Sequence, residues 1–188
     1  RLRGPYGKPF ALPPDAEVVF VGAGCGIAPI LRAAQGHPGP RRFALGTRSV
    51  EATAFLERLH ELGPVVHATE DGSSGLSGVA LDALGTLLER YPPREDVVFY
   101  NCGPEIVLSQ VDEAERRLAP PSRIFHVVER ITACGIGICG KCATPEGLRL
   151  CVDGPVFSGE QFSPLRYSRD KTGRVVELGG GPKACPPS

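Results

Sequence analysis

The chain has 188 residues, 41% of them hydrophobic, and its 21 Lys and Arg balance its 21 Asp and Glu. That length holds one medium domain plus a small appendage, and a formal charge of zero gives no electrostatic case for a nucleic-acid or membrane-surface partner. No apolar run approaches bilayer length and the opening residues lack a signal-peptide core, so a cytoplasmic protein is expected; the absence of Met, even at position 1, predicts a piece of a longer product or a chain that has lost its start.

In chain order, residues 1–10 are a turn-rich connector, with Gly4-Pro5-Tyr6-Gly7 followed by further prolines. A short apolar run at 17–21 reads as a buried strand, and a helix follows from about residue 30. Residues 42–46 form a second strand, and the spacing of Phe55, Leu59 and Leu62 predicts a helix over 51–62. A third strand falls at 65–68, then a helix over 79–91 with Leu81, Leu84, Leu87 and Leu88 on one side. A fourth strand at 96–101, a helix over 105–118 and a fifth strand at 124–128 complete the alternation. This rhythm predicts an α/β domain, a parallel sheet with helices on both faces, over residues 11–128. From residue 129 the texture turns to Gly, Cys and Pro, which marks a small separate domain over 129–162. The tail, 163–188, with Gly179-Gly180-Gly181 and Pro186-Pro187, is expected to be poorly ordered.

Three loops leave the predicted sheet at one edge. Gly22-Ala23-Gly24-Cys25-Gly26-Ile27-Ala28-Pro29 follows the first strand and opens a helix. Its glycines allow close backbone approach to a phosphate, and a helix N-terminus favours an anion. The spacing is G-x-G-x-G rather than the full dinucleotide fingerprint G-x-G-x-x-G. The loops at 69–75 and 102–105 follow the third and fourth strands. Ligands of open α/β sheets bind outside the carboxyl ends of the strands, so the three converge on one crevice.

Seven cysteines are present, and four of them are spaced Cys134-x4-Cys139-x2-Cys142-x8-Cys151. This matches the plant-type [2Fe–2S] ligand spacing, and glycines between the ligands let the loop fold back and aim N–H groups at sulfur. Structural zinc more often uses two separated C-x2–4-C hooks, of which only Cys139 and Cys142 make one. An odd remainder (Cys25, Cys102 and Cys185) argues against a disulfide framework.

Taken together, Gly22 to Pro29, the stretch 69–78, Cys102-Gly103-Pro104 and the text around Cys134 and 151–157 resemble the ferredoxin–NADP reductase superfamily. Within it they look like the electron-transfer subunit of NAD-dependent, class 1B dihydroorotate dehydrogenase. The resemblance runs from about residue 4 to 162. It implies that Gly22, Ala23, Gly24, Gly26, Ile27, Ala28 and Pro29 hold the pyrophosphate of NAD(H), with Thr47 and Arg48 near the adenosine. It implies that Asp71, Gly72 and Ser73 line the nicotinamide side, and that Cys102, Gly103 and Pro104 border the meeting of nicotinamide and flavin. Cys134, Cys139, Cys142 and Cys151 would bind the cluster. The implied partner is a flavin-containing dihydroorotate dehydrogenase catalytic subunit of pyrimidine biosynthesis, in a hetero-oligomer, so the chain is not a complete enzyme alone. No histidine is needed as an acid or base, since the carriers do the chemistry.

The family carries a flavin-binding β-barrel ahead of its Gly-Pro-x-Gly connector, which here stands at the start of the sequence. FAD is therefore expected from a missing segment or from another chain. Three other readings share some of these motifs. They are a diaphorase-like subunit of a hydrogenase or NAD(P)H:ferredoxin oxidoreductase, a non-enzymatic NAD-binding iron–sulfur sensor, and a nucleotide domain with structural zinc. Arg48 leans locally toward a 2′-phosphate, whereas the resemblance points to NAD.

Overall fold

The computed structural model of the chain describes residues 3–162, 164, 167–169 and 175–177. Its first strand, β1 (Val18–Ala23), is buried along its whole length and leads into helix α1 (Ile27–Gly36). Strand β2 (Arg41–Thr47), a short helix α2 (Leu56–His60) and strand β3 (Val65–Thr69) follow. A two-residue strand β4 (Leu76–Ser77) precedes helix α3 (Ala80–Arg90). Then come β5 (Val98–Cys102), α4 (Glu105–Glu115), β6 (Ile124–Val127) and β7 (Val156–Ser158).

These seven strands form one sheet in the order β4-β3-β2-β1-β5-β6-β7, parallel throughout except for the antiparallel pair β6–β7. Because side chains alternate along a strand, β1 feeds two cores. Val18 and Phe20 join Phe43, Leu45, Ile30 and Leu59 beneath α1 and α2. Val19 and Val21 join Ala44, Phe99, Leu84 and Leu87 beneath α3, with Val111 of α4. Each fully buried side chain of this size contributes about 1.5–3 kcal/mol. Strand order reverses at β1, whose neighbours β2 and β5 are reached by crossovers in opposite directions. A crevice opens at that point, above the carboxyl ends of β1 and β5.

The parallel sheet with helices on both faces is as the sequence predicts. Four local features differ. The predicted helix over 51–62 is a 3-10 turn at Val50–Ala52 and then α2, because Phe55 between them has φ 63°. The Thr53 hydroxyl, bonded to Ser49 O and close to Thr47 and His67, holds the chain down at that break. Two strands had no strong apolar run to announce them: β4 has two residues, and β7 lies in the Gly- and Pro-rich stretch. The tail, expected to lack order, contains β8 (Tyr167–Arg169) paired antiparallel with β9 (Val175–Glu177), the latter opening on two valines that favour strands. The rest of the tail, including Cys185, lies outside the described residues. Among the described residues no helix is long and apolar enough to cross a membrane.

Phe99 sits on the central strand β5 with no exposed surface. Phe99→Ala is expected to lower stability by about 3–5 kcal/mol, seen as a lower urea midpoint with an unchanged slope.

Candidate functional site

The glycine loop is built by backbone packed directly on backbone. A Cβ on Gly26 would run into the carbonyl of Cys102 at the end of β5, and one on Gly103 would meet Ala23. Gly24 turns the chain with φ 53° into a short 3-10 segment that becomes α1. No side chain caps α1 and no acidic residue stands in its first turn; the Ile27 N–H is bonded within the preceding 3-10 turn and Pro29 has none, so what the helix start offers an anion is chiefly the positive end of its dipole.

Two cavities flank this loop and share Ala23, Gly24, Cys25 and Pro104. The larger, about 750 Å³, runs from the glycine loop past Gly103 to Arg130, Thr132, Leu150 and Cys151. The smaller, about 560 Å³, lies over the ends of β1 and β2 and is lined by Thr47, Arg48, Phe55 and Glu70. Each falls within the size range of small-molecule and cofactor sites, and the four shared residues make the two immediate neighbours.

Of the residues singled out in the sequence, Gly24, Gly26, Pro29, Cys102, Gly103 and Pro104 line the larger cavity, and Ile27, Ala28, Thr47 and Arg48 the smaller. Gly22 lies beneath them, where Ile30 and Leu45 close over it. Asp71, Gly72 and Ser73 line neither cavity. The sheet order puts β3 three strands from β5, roughly 14 Å at the usual strand spacing, so this loop stands at the Thr47–Arg48 end and away from Cys102. Here Asp71 Oδ1 accepts bonds from the amide and hydroxyl of Ser73, at 2.9 and 2.6 Å, which hold its carboxyl below the usual range. The Ser73 hydroxyl in turn accepts from the amide of Val50 at 2.8 Å, so the loop braces its neighbour.

Beneath the Cys102 loop, polar side chains tie α4 to β5 and β6. Asn101 Nδ2 donates to Glu115 Oε2 at 2.6 Å, and burial pushes the Glu115 carboxyl well up. His126 Nε2 meets Asp112 Oδ1 at 3.0 Å. Burial raises the Asp112 carboxyl, but the bonds to His126 and Arg116 outweigh it and leave the group low. His37 bonds Ala16 O, His67 bonds Thr47 and Thr53, and none of the four histidines lines either cavity.

The cysteine segment folds as a tight loop with Gly135, Gly137 and Gly140 at φ 75°, 78° and 68°. Those turns point amides at sulfur: Cys139 N lies 3.5 Å from Cys134 Sγ. Amides of Cys139, Ile136 and Ile138 pull the Cys134 thiol down to about 6, so it is ready to act as a thiolate ligand. Cys142 and Cys151 are buried, and burial followed by contact with Cys142 raises the Cys151 thiol. Among the described residues no three Cys, His, Asp or Glu side chains gather closely enough to hold a single metal ion. Within the loop Cys134 interacts with Cys139, and Cys151 with Cys142 and Cys134. Four thiols on one short segment, one of them held low as a thiolate, make a donor set that fits an iron–sulfur group. Away from the loop, burial and then the charge of Glu129 push the Cys102 thiol to about 12, which makes it inert.

Sequence reasoning missed Tyr6, Glu129, Arg130, Thr132 and Leu150 of the larger cavity, and Phe55 and Glu70 of the smaller. Tyr6 carried a signal in its neighbour Gly7, whose Cβ would strike the carbonyl of Gly154 and which therefore marks a close backbone approach.

A doubly wound sheet with a phosphate-loop crevice that opens onto a four-cysteine loop defines a nucleotide-binding redox module. Residues 129–163 match the iron–sulfur cluster binding domain of dihydroorotate dehydrogenase B. Curated relatives carry the name "Probable dihydroorotate dehydrogenase B (NAD(+)), electron transfer subunit". The protein of Methanopyrus kandleri is 40% identical, over 92% of this chain and 66% of its own. That of Pyrococcus abyssi is 38% identical, over 94% and 69%, and that of Methanocaldococcus jannaschii 34%, over 93% and 69%. This chain belongs to that family of electron transfer subunits, and spans about two thirds of the length of these relatives. A solved NADH-dependent reduced ferredoxin-NADP oxidoreductase superposes with a TM-score of 0.70 at 28% identity, over 85% of this chain and 58% of that one.

Gly26→Ala must push the loop off Cys102, and is expected to weaken NADH binding by about tenfold or more, roughly 1.4 kcal/mol, by calorimetry. In the metal-free chain, iodoacetamide is expected to label Cys134 with a half-maximal rate near pH 6, faster above it as the thiolate forms. Mapping of the adducts by mass spectrometry should leave Cys102 unlabelled.

Proposed function

We propose that this chain is an electron-transfer subunit that passes electrons between NAD(H), a flavin and a [2Fe–2S] cluster, and on to a flavin-containing dihydroorotate dehydrogenase catalytic subunit in pyrimidine biosynthesis. The observation that carries this reading is Cys151. It belongs to the four-cysteine set and also lines the larger cavity, so the dinucleotide trough and the metal loop share a wall.

The residues divide the work. Gly24, Gly26 and the first turn of α1 receive the pyrophosphate, with the adenosine toward Thr47, Arg48 and Glu70. The nicotinamide enters the larger cavity beside Gly103 and Pro104, where the room suits a flavin ring as well. Cys134, Cys139, Cys142 and Cys151 would hold the cluster. The flavin supplies the conversion between a two-electron hydride carrier and a one-electron cluster. The chain's own part is to bind, align and keep water out: Val127, Val128, Leu150 and Pro155 give the larger cavity an apolar lining.

A partner would meet the chain beside the cysteine loop. Ile131, Ile136 and Ile138 stand 80%, 67% and 79% exposed there, an apolar group that a soluble surface seldom leaves open. This supports a hetero-oligomer whose interface covers the metal loop. The likeness to a ferredoxin-NADP oxidoreductase keeps a second reading, a diaphorase-like subunit, in view. Orotate-forming activity in the purified complex separates the two.

Anaerobically purified protein is expected to carry two irons and two acid-labile sulfides per chain, about the stoichiometry of one cluster. Dithionite should then produce an EPR signal that Cys142→Ser abolishes. Zinc in place of iron would overturn the reading. Ile136→Glu with Ile138→Glu is expected to leave the cluster intact while the catalytic subunit no longer co-elutes in size-exclusion chromatography.

A further inference from the structure

We propose that Tyr6 is a positioning residue for the metal loop: its ring is the wall between the crevice and the Cys134 turn, and sets the cluster's reduction potential by keeping water off that side. This rests on the reading of the four cysteines as iron–sulfur ligands.

Three observations place Tyr6 there. Its side chain lines the larger cavity, facing the same space as Gly103, Leu150 and Cys151. On its other side the ring lies against Gly135, so closely that a Cβ at Gly135 would overlap its Cε1 edge. It also packs on the buried group formed by Val128, Cys142, Leu150, Cys151, Phe157 and Phe162. One side chain therefore touches the crevice, the residue after the first ligand, and the core that seats the last two.

The chain around Tyr6 is fixed at both ends, as a positioning role requires. Arg3 donates to the carbonyls of Ala133 and Cys134, at 2.9 and 2.5 Å. Gly7 N donates to Cys151 O at 3.0 Å and Lys8 N to Gly154 O at 2.7 Å. These bonds hold residues 3–8 across the cysteine segment and leave the ring nowhere else to go.

Charge supplies the direction of the effect. A cluster held by four thiolates is anionic and gains further negative charge on reduction. Water stabilises the more highly charged state, so excluding water lowers the potential and admitting it raises the potential. The Cε1–Cζ edge of the ring, with the hydroxyl beside it, closes on Gly135, and the exclusion of water is assigned to the ring carbons rather than to the hydroxyl.

The test is a redox titration of the cluster-loaded chain followed by EPR, with iron release to a chelator on the same samples. Tyr6→Ala is expected to move the midpoint to more positive potential and to speed iron release several-fold. Tyr6→Phe is expected to keep both at the wild-type values. A Tyr6→Ala midpoint equal to wild type would overturn the proposal, and so would a Tyr6→Phe shift as large as that of alanine. Should Tyr6→Ala not retain its cluster, Tyr6→Leu is read in the same way: a positive shift supports the role and a wild-type midpoint overturns it. A wild-type chain that takes up no iron removes both readings, whereas a loaded chain whose potential ignores Tyr6 removes this one alone.

Discussion

Gly26 and the carbonyl of Cys102 leave no room for a side chain between them, and this close approach governs the layout of the site. It ties the turn after β1 to the turn after β5, so the strand-order reversal becomes a narrow cleft instead of an open gap. Where the loop closes determines where α1 begins, and hence where its dipole points. It also fixes the floor that both cavities share. A larger residue would have to separate two central strands whose pairing buries Val18, Val19, Phe20 and Phe99. The binding trough and the sheet core are thus one mechanical unit.

The second joint lies on the far side of the crevice. β7 pairs antiparallel with β6, and Val128 N donates to Pro155 O at 3.0 Å. Phe157 and Phe162 then bury themselves with Cys142 and Cys151. The metal loop is therefore not hung on a linker. It is framed by the sheet's last strand on one side and residues 3–8 on the other, with an ion pair between Arg130 and Glu105 reaching back to α4.

The parts of this arrangement that were legible in the sequence are those with strong local chemistry. Buried apolar runs announced β1, β2, β3, β5 and β6, and the spacing of Cys134, Cys139, Cys142 and Cys151 announced their shared loop. The illegible parts depend on contacts distant in sequence. α2 is short because Thr53 binds Ser49 and Phe55 turns left-handed, which the spacing of Phe55, Leu59 and Leu62 does not record. β7 exists only because β6 offers it an edge. The loop at Asp71 reads as one of three converging turns, yet its place depends on strand order, which local pattern does not contain. Tyr6 looked like part of a featureless connector because the residues that give it meaning lie beyond position 130.

That last separation bears on how the molecule is made. The bonds from Arg3 to Ala133 and Cys134 span 130 and 131 positions, among the longest-range contacts in the chain. Loops of that length close late, after nearer contacts have compensated part of the entropy. The parallel sheet from β1 to β6 can therefore assemble while residues 3–8 still wait for their seat. Synthesis must pass Gly154 before they can dock. On these grounds the metal loop is expected to be the last region to acquire its walls, and a cluster to be seated after the sheet has formed.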